Sequence, residues 1–266
     1  MARAVHLSLP WSSPFLLALG TWLVYVADRI LDGLRDGDDV RLRERHLLYA
    51  RHRGKLLAAA AFASAALIWL VAAHMNAAAR HEDVALFVAA LVYFVLIHLC
   101  GRLSKSGIER WFPKEIAVAA VFSAAVAVPA WSRMPADRMR LVPLVALFAM
   151  LCWLNCVAIE KWERSPRAAV AASTVIPHVT TRWAQQHFCL LSLAIAALAI
   201  AACIWAIFSG GRGAGCCDTM AVLYLSCAIS ALLFPALDRS HLESRQLRIA
   251  ADAALLTPLL FIAILY

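Results

Sequence analysis

Apolar residues in this chain come in long uncharged runs, separated by short charged segments. The pattern marks candidate membrane-crossing segments at roughly 10–27, 56–75, 84–101, 115–131, 141–159, 188–208, 219–237 and 250–266. A helix needs about 20 mostly apolar residues to cross a bilayer. Inside lipid every backbone amide must be bonded within its own segment, so these runs form helices rather than strands. The last run is the weakest, because Asp252 sits near its start. The expectation is an all-α polytopic transmembrane helical bundle of about eight helices. Residues 1–266 form a single integral membrane domain, since no linker is long enough to separate two.

Composition agrees with this pattern. At 63% hydrophobic and 16% charged residues, the chain has too little polar surface for a soluble fold of its length. The net charge of +8 would suit a nucleic-acid partner, but the cations cluster at the ends of the apolar runs. With the connections numbered alternately, one side carries 19 of the Lys/Arg residues and the other six. The positive-inside rule assigns the richer side to the cytoplasm. The protein is therefore expected in the cell inner (cytoplasmic) membrane, multi-pass, with both termini external and no nucleic-acid partner. The first run is not expected to be a signal peptide, since only one Arg precedes the apolar stretch while Asp28, Arg29 and a dense basic segment follow it.

Six of the eight cysteines (Cys100, Cys152, Cys156, Cys189, Cys203 and Cys227) lie in or beside apolar runs, where thiols act as small apolar residues. No Cys-x-x-Cys pair occurs, so a structural role is expected.

Three polar constellations remain. Asp28, Asp32 and Asp36 recur every four residues at the end of the first run, which aligns three carboxylates on one helical face. Two readings stay open: a site for a hard divalent cation such as Mg²⁺, or a solvated helix end neutralised by Arg29, Arg35 and the basic segment beyond. The fifth run ends in Asn155-Cys156-Val157-Ala158-Ile159-Glu160-Lys161-Trp162-Glu163-Arg164, with two acids one turn apart. This also reads as an interfacial anchor with Trp162 in the headgroup zone. Two such acidic ends on one side could face each other across one cavity. Between them, Arg102-Leu103-Ser104-Lys105-Ser106-Gly107-Ile108-Glu109-Arg110 offers cations for a diphosphate or simply a positive loop. Arg248 and Asp252, one turn apart, suggest a local ion pair, and the segment Asp238–Arg245 a solvated connector or a cap. His98 and His178 have no ligand partner at helical spacing and read as structural.

In the order of these features the chain resembles the UbiA superfamily of intramembrane prenyltransferases. That family's first motif is Asn-Asp-x-x-Asp-x-x-x-Asp; Asp28 and Asp32 match its later acids, whereas Val24 and Tyr25 stand at its leading Asn-Asp. Trp111-Phe112-Pro113-Lys114-Glu115 and Val128-Pro129-Ala130-Trp131 are similar to the entry and exit of its following Ala-rich helix. Glu160 and Glu163 are the nearest equivalents of its second Asp-x-x-x-Asp motif. The order of runs is that of the family fold without its first helix.

The resemblance implies a UbiA-like prenyltransferase fold and a Mg²⁺-dependent transfer of an isoprenyl group from a diphosphate donor to an aromatic or lipid-like, hydrophobic acceptor. It implies Asp28, Asp32, Glu160 and Glu163 as catalytic residues, and Asp28, Asp32, Asp36, Asn155, Glu160 and Glu163 as metal ligands. Arg29, Arg102, Lys105 and Asn155 would contact substrate. A catalytically inactive relative that binds a lipid diphosphate or a protein partner is the alternative. A transporter fits less well, because few ionisable residues fall in mid-span.

Overall fold

A segment that must satisfy its own amides has one local solution, and every regular element among the described residues of the computed structural model is helical. The structure describes residues 11–35, 52–75, 113–134, 138–163, 178–209 and 214–257, with scattered positions between 77 and 92. The expected run at 84–101 lies almost entirely outside the described residues, as does the end of the last run. The chain divides into two units, one within Leu9–Ile108 and one within Glu109–Tyr266.

The first unit contains helices α1 (Ser12–Arg35) and α2 (Arg53–His74), which pack on each other. Val26, Ala63 and Leu70 are buried there, and Trp11 and Trp69 both meet the His74 ring edge-on, at centroid distances of 5.3 and 5.5 Å. Most of α2 stays uncovered: Phe62 is 79% exposed and Ile68 69%. In water such a run of bare apolar side chains would drive association, whereas lipid is its natural surrounding.

The second unit is built around α4. Helix α3 (Lys114–Trp131) turns through a 3-10 segment (Arg138–Leu141) into α4 (Val142–Glu163). There follow a short helix α5 (Val179–Gln186), then α6 (Phe188–Ser209), α7 (Ala214–Asp238) and α8 (Ser244–Ala254). Helix α4 touches all the other five, and α6 and α7 share the most extensive pairing. One continuous core joins Leu144, Leu147, Leu151, Leu154 and Val157 of α4 to Phe188, Ile195 and Ala199 of α6, to Leu223, Cys227, Ala231 and Phe234 of α7, and to Leu247 and Ala251 of α8. Small residues at these contacts let backbones approach closely, which in lipid is what drives helix association.

The ring contacts fix the relative directions. Phe188 at the start of α6 meets Trp162 at the end of α4 (6.5 Å) and Phe234 near the end of α7 (6.4 Å). Helix α6 is thus antiparallel to α4 and α7. Phe122 against Phe148 (6.1 Å) makes α3 and α4 a hairpin, whose turn is pinned by Arg138: its Nε donates to the Trp131 carbonyl at 3.1 Å and its guanidinium lies over the Trp131 ring. Towards the C-terminus, Ser226, Ser230 and Thr257 form a buried hydroxyl network. Ser230 Oγ lies 2.8 Å from the Ala254 carbonyl and in contact with the Thr257 hydroxyl, which donates to the Ser226 carbonyl at 3.2 Å. The network fastens the chain after α8 to α7.

Four helical stretches among the described residues are long and apolar enough to cross a membrane: Gly54–His74, Arg138–Glu163, Phe188–Phe208 and Thr219–Asp238. Ser12–Ala27 and Glu115–Trp131 are shorter apolar helices. The last expected run is reached through α8, which begins in the polar stretch at Ser244 and carries Leu247, Ala251 and Ala254 on one buried face.

Candidate functional site

The end of α4 gathers the polar groups of the second unit. A helix leaving the hydrocarbon ends in groups that water or partners can satisfy, and here neighbouring helices supply the partners. Asp238, the last residue of α7, accepts from the Trp162 indole Nε1 at 2.8 Å and from Lys161 Nζ at 2.6 Å. Lys161 Nζ also lies 4.9 Å from the centre of the Phe188 ring. Ser244, at the start of α8, donates to the Trp162 carbonyl at 3.3 Å. One level away, Arg248 pairs with Glu163 at 3.6 Å, and Asn155 Nδ2 donates to Asp252 Oδ1 at 3.1 Å.

These contacts correct one expectation. Arg248 reaches across to Glu163 on α4, and Asp252 takes its hydrogen bond from Asn155, so the local Arg248–Asp252 pair does not form. The residues are one turn apart on α8, but both are drawn to the polar groups of the facing helix. The segment from Asp238 is a solvated connector, with Arg239, His241, Leu242 and Glu243 exposed, and Asp238 and Ser244 fasten its two ends to Trp162. His178 has the structural role expected of it: it caps α5, with Nδ1 accepting from the Thr180 amide at 3.2 Å.

Of the residues named from the sequence, Asn155, Glu160 and Glu163 occupy the last part of α4. Asn155 is buried and the two acids are half-buried. Asp28, Arg29 and Asp32 lie on α1, in the first unit. Asp36, Arg102 and Lys105 fall outside the described residues. Among the described residues no group of three His, Cys, Asp or Glu side chains is placed to hold a metal ion. Cys152 and Cys227 are buried free thiols of the packed core, as their apolar setting implied.

Asn155 leaves one lead. Its side chain is only 7% exposed, and its Oδ1 has no hydrogen-bond partner. A buried acceptor without a partner costs roughly 1–3 kcal/mol in soluble proteins, so such an atom calls for an explanation. Asp252, beside it, adds a second oxygen-bearing group. The sequence reading gave Asp238 to a connector or cap and Asp252 to a local ion pair, and did not join either to the end of α4; the available signal was that each is an acid at the edge of an apolar run.

The chain is all-helical among its described residues, and four of its helical stretches are long and apolar enough to cross a membrane. Comparison with protein-family models, with curated protein sequences and with solved structures finds no match in any of the three.

Proposed function

We propose that the polar end of α4 faces the cytoplasm and binds the diphosphate of an isoprenyl donor, whose isoprenyl group passes to an aromatic or lipid-like acceptor. The observation that carries this reading is Asn155 Oδ1, a buried oxygen without a protein partner beside the Asp252 carboxylate. These are hard donors of the kind Mg²⁺ takes, and Mg²⁺ keeps several waters and phosphate oxygens of its own, so few protein ligands suffice. Asn155 and Asp252 would hold the ion. When bound, it would supply charge neutralisation to the departing diphosphate. The apolar stretch of α4 beyond Asn155 offers the isoprenyl tail a setting away from water.

One observation favours the second reading, a relative that binds a lipid diphosphate without turning it over. Glu163 is already paired with the protein's own Arg248. Farnesyl diphosphate binding to the purified protein, with and without Mg²⁺, tests both readings. Mg²⁺-dependent binding is expected, weakened about tenfold by Asn155→Leu, a loss of about 1.4 kcal/mol. Release of diphosphate when an aromatic acceptor is added separates transfer from binding alone. No binding at any Mg²⁺ concentration overturns both.

The orientation has its own test. The α3–α4 connection and the α7–α8 connection lie at opposite ends of the second unit, by the directions of its helices. In a background without native cysteines, Arg133→Cys is expected to react with a membrane-impermeant maleimide in intact cells, and His241→Cys only after lysis. The reverse pattern would invert the assignment.

A further inference from the structure

Helix α6 has 22 residues and is therefore roughly 33 Å long, against a hydrocarbon core of about 30 Å. Its outward side chains are apolar along its length, from Leu190 (65% exposed) through Leu198 and Ile204 to Trp205 and Phe208. A helix only just long enough to cross the core places whatever adjoins its ends at headgroup level. At its start that is α5, whose exposed residues are of a different kind: Val179, Thr180, Arg182, Trp183 and Gln186, followed by exposed His187. Trp183 is half exposed and stacked on the His187 ring, 4.9 Å away and tilted by 30°. Trp and His with an apolar body and a polar edge are suited to the membrane–water boundary.

Neither α5 nor the first turn of α6 carries an acid. The chain has no acid between Glu163 and Asp218, while Arg164, Arg167 and Arg182 all fall in that stretch. Arg239, from the end of α7, extends to the first turn of α6, where its Nη2 lies 4.0 Å from Cys189 Sγ. Both Arg182 and Arg239 are exposed, and neither has an ion-pair partner among the described residues. Lys161, at the same level, is by contrast taken by Asp238.

We propose that the outward face of α5 and the first turn of α6 form a docking surface for anionic phospholipid headgroups, with Trp183 at the boundary and Arg182 and Arg239 contacting lipid phosphate. The surface continues the lipid-facing side of α6 out of the hydrocarbon, and its uncompensated cations match the charge of an acidic leaflet. The proposal does not depend on any diphosphate chemistry at α4.

The test uses the full chain, extracted in mild detergent from vesicles of phosphatidylcholine and phosphatidylglycerol in equal amounts, with native mass spectrometry of the lipids retained. Wild type is expected to retain phosphatidylglycerol in preference. The double variant Arg182→Gln, Arg239→Gln is expected to lose that preference by about fivefold, since each basic residue near the surface contributes separately to holding an acidic headgroup. Circular dichroism and thermal midpoint should be unchanged, because both side chains are exposed. Equal retention of the two lipids by wild type, or an unaltered preference in the double variant, overturns the proposal. Should the double variant misfold, a spin label at Trp183→Cys gives an independent reading. Headgroup depth, in vesicles containing phosphatidylglycerol, is the expected result; a label in bulk water or deep in the hydrocarbon overturns the placement.

Discussion

Phe188→Ala is expected to lower the stability of the second unit by about 3 kcal/mol, within the range for deleting a fully packed aromatic side chain. The ring is 2% exposed and serves three helices at once. It meets Trp162 of α4 and Phe234 of α7 edge-on, and Lys161 Nζ lies against its face at 4.9 Å. Edge-on aromatic pairs each add about 0.5–1.5 kcal/mol beyond area burial, and the cation over the ring roughly 0.5–1 more. In lipid the transfer part of the loss shrinks, because a tail can solvate an apolar group as well as a helix can, but the packing part remains. Phe188→Leu keeps most of the volume and is expected to cost about half as much, by retaining contact while losing the ring faces. Thermal inactivation midpoints in one detergent measure the series. A Leu variant as unstable as the Ala variant would show that ring contacts, not filled volume, account for the whole effect. An Ala variant as stable as wild type would remove Phe188 from the core altogether.

The helices that were legible in the sequence are those that must cross lipid. The run expected at 188–208 is α6, Phe188–Ser209; that at 141–159 is, but for its first residue, part of α4, Val142–Glu163; that at 219–237 lies within α7, Ala214–Asp238. Length, low charge and obligatory amide satisfaction leave such segments no alternative. Which face each helix turns inward was not legible. Helices α2, α4 and α6 are apolar all round, so no polar stripe marks their outer side. Without that rotation, contacts between helices cannot be assigned. Arg248 was matched to its sequence neighbour Asp252, although the facing helix offered Glu163 and Asn155. Asp238 was set aside as the start of a connector for the same reason, since only the packing of α7 on α4 brings it to Trp162. Conversely, α8 carries a clear period, with Leu247, Ala251 and Ala254 buried on one face, and there rotation could have been read directly. The acidic ends of α1 and α4 were legible as features, yet pairing them rests on a resemblance in motif order, not on any pattern within the residues themselves.

Asp238→Ala is expected to destabilise the second unit by about 2 kcal/mol, with Asp238→Asn losing less than half of that. The reasoning separates the two bonds that the carboxylate accepts. Its pair with Lys161 is short at 2.6 Å, but the side chains are 32% and 27% exposed, and ion pairs open to solvent contribute little. The indole is different. Trp162 is 5% exposed, so Nε1 cannot turn to water when its acceptor is removed, and a buried donor left unpaired costs about 1–3 kcal/mol. An amide at position 238 still offers an oxygen to that N–H at 2.8 Å while discarding the charge. Stability should accordingly follow the presence of an acceptor and respond little to added salt. A double-mutant cycle with Trp162→Phe isolates the indole bond, with an expected coupling of about 1 kcal/mol. If Asp238→Asn is as damaging as Asp238→Ala, and if the loss shrinks at high salt, then the Lys161 ion pair holds α7 to α4 and the indole bond is incidental.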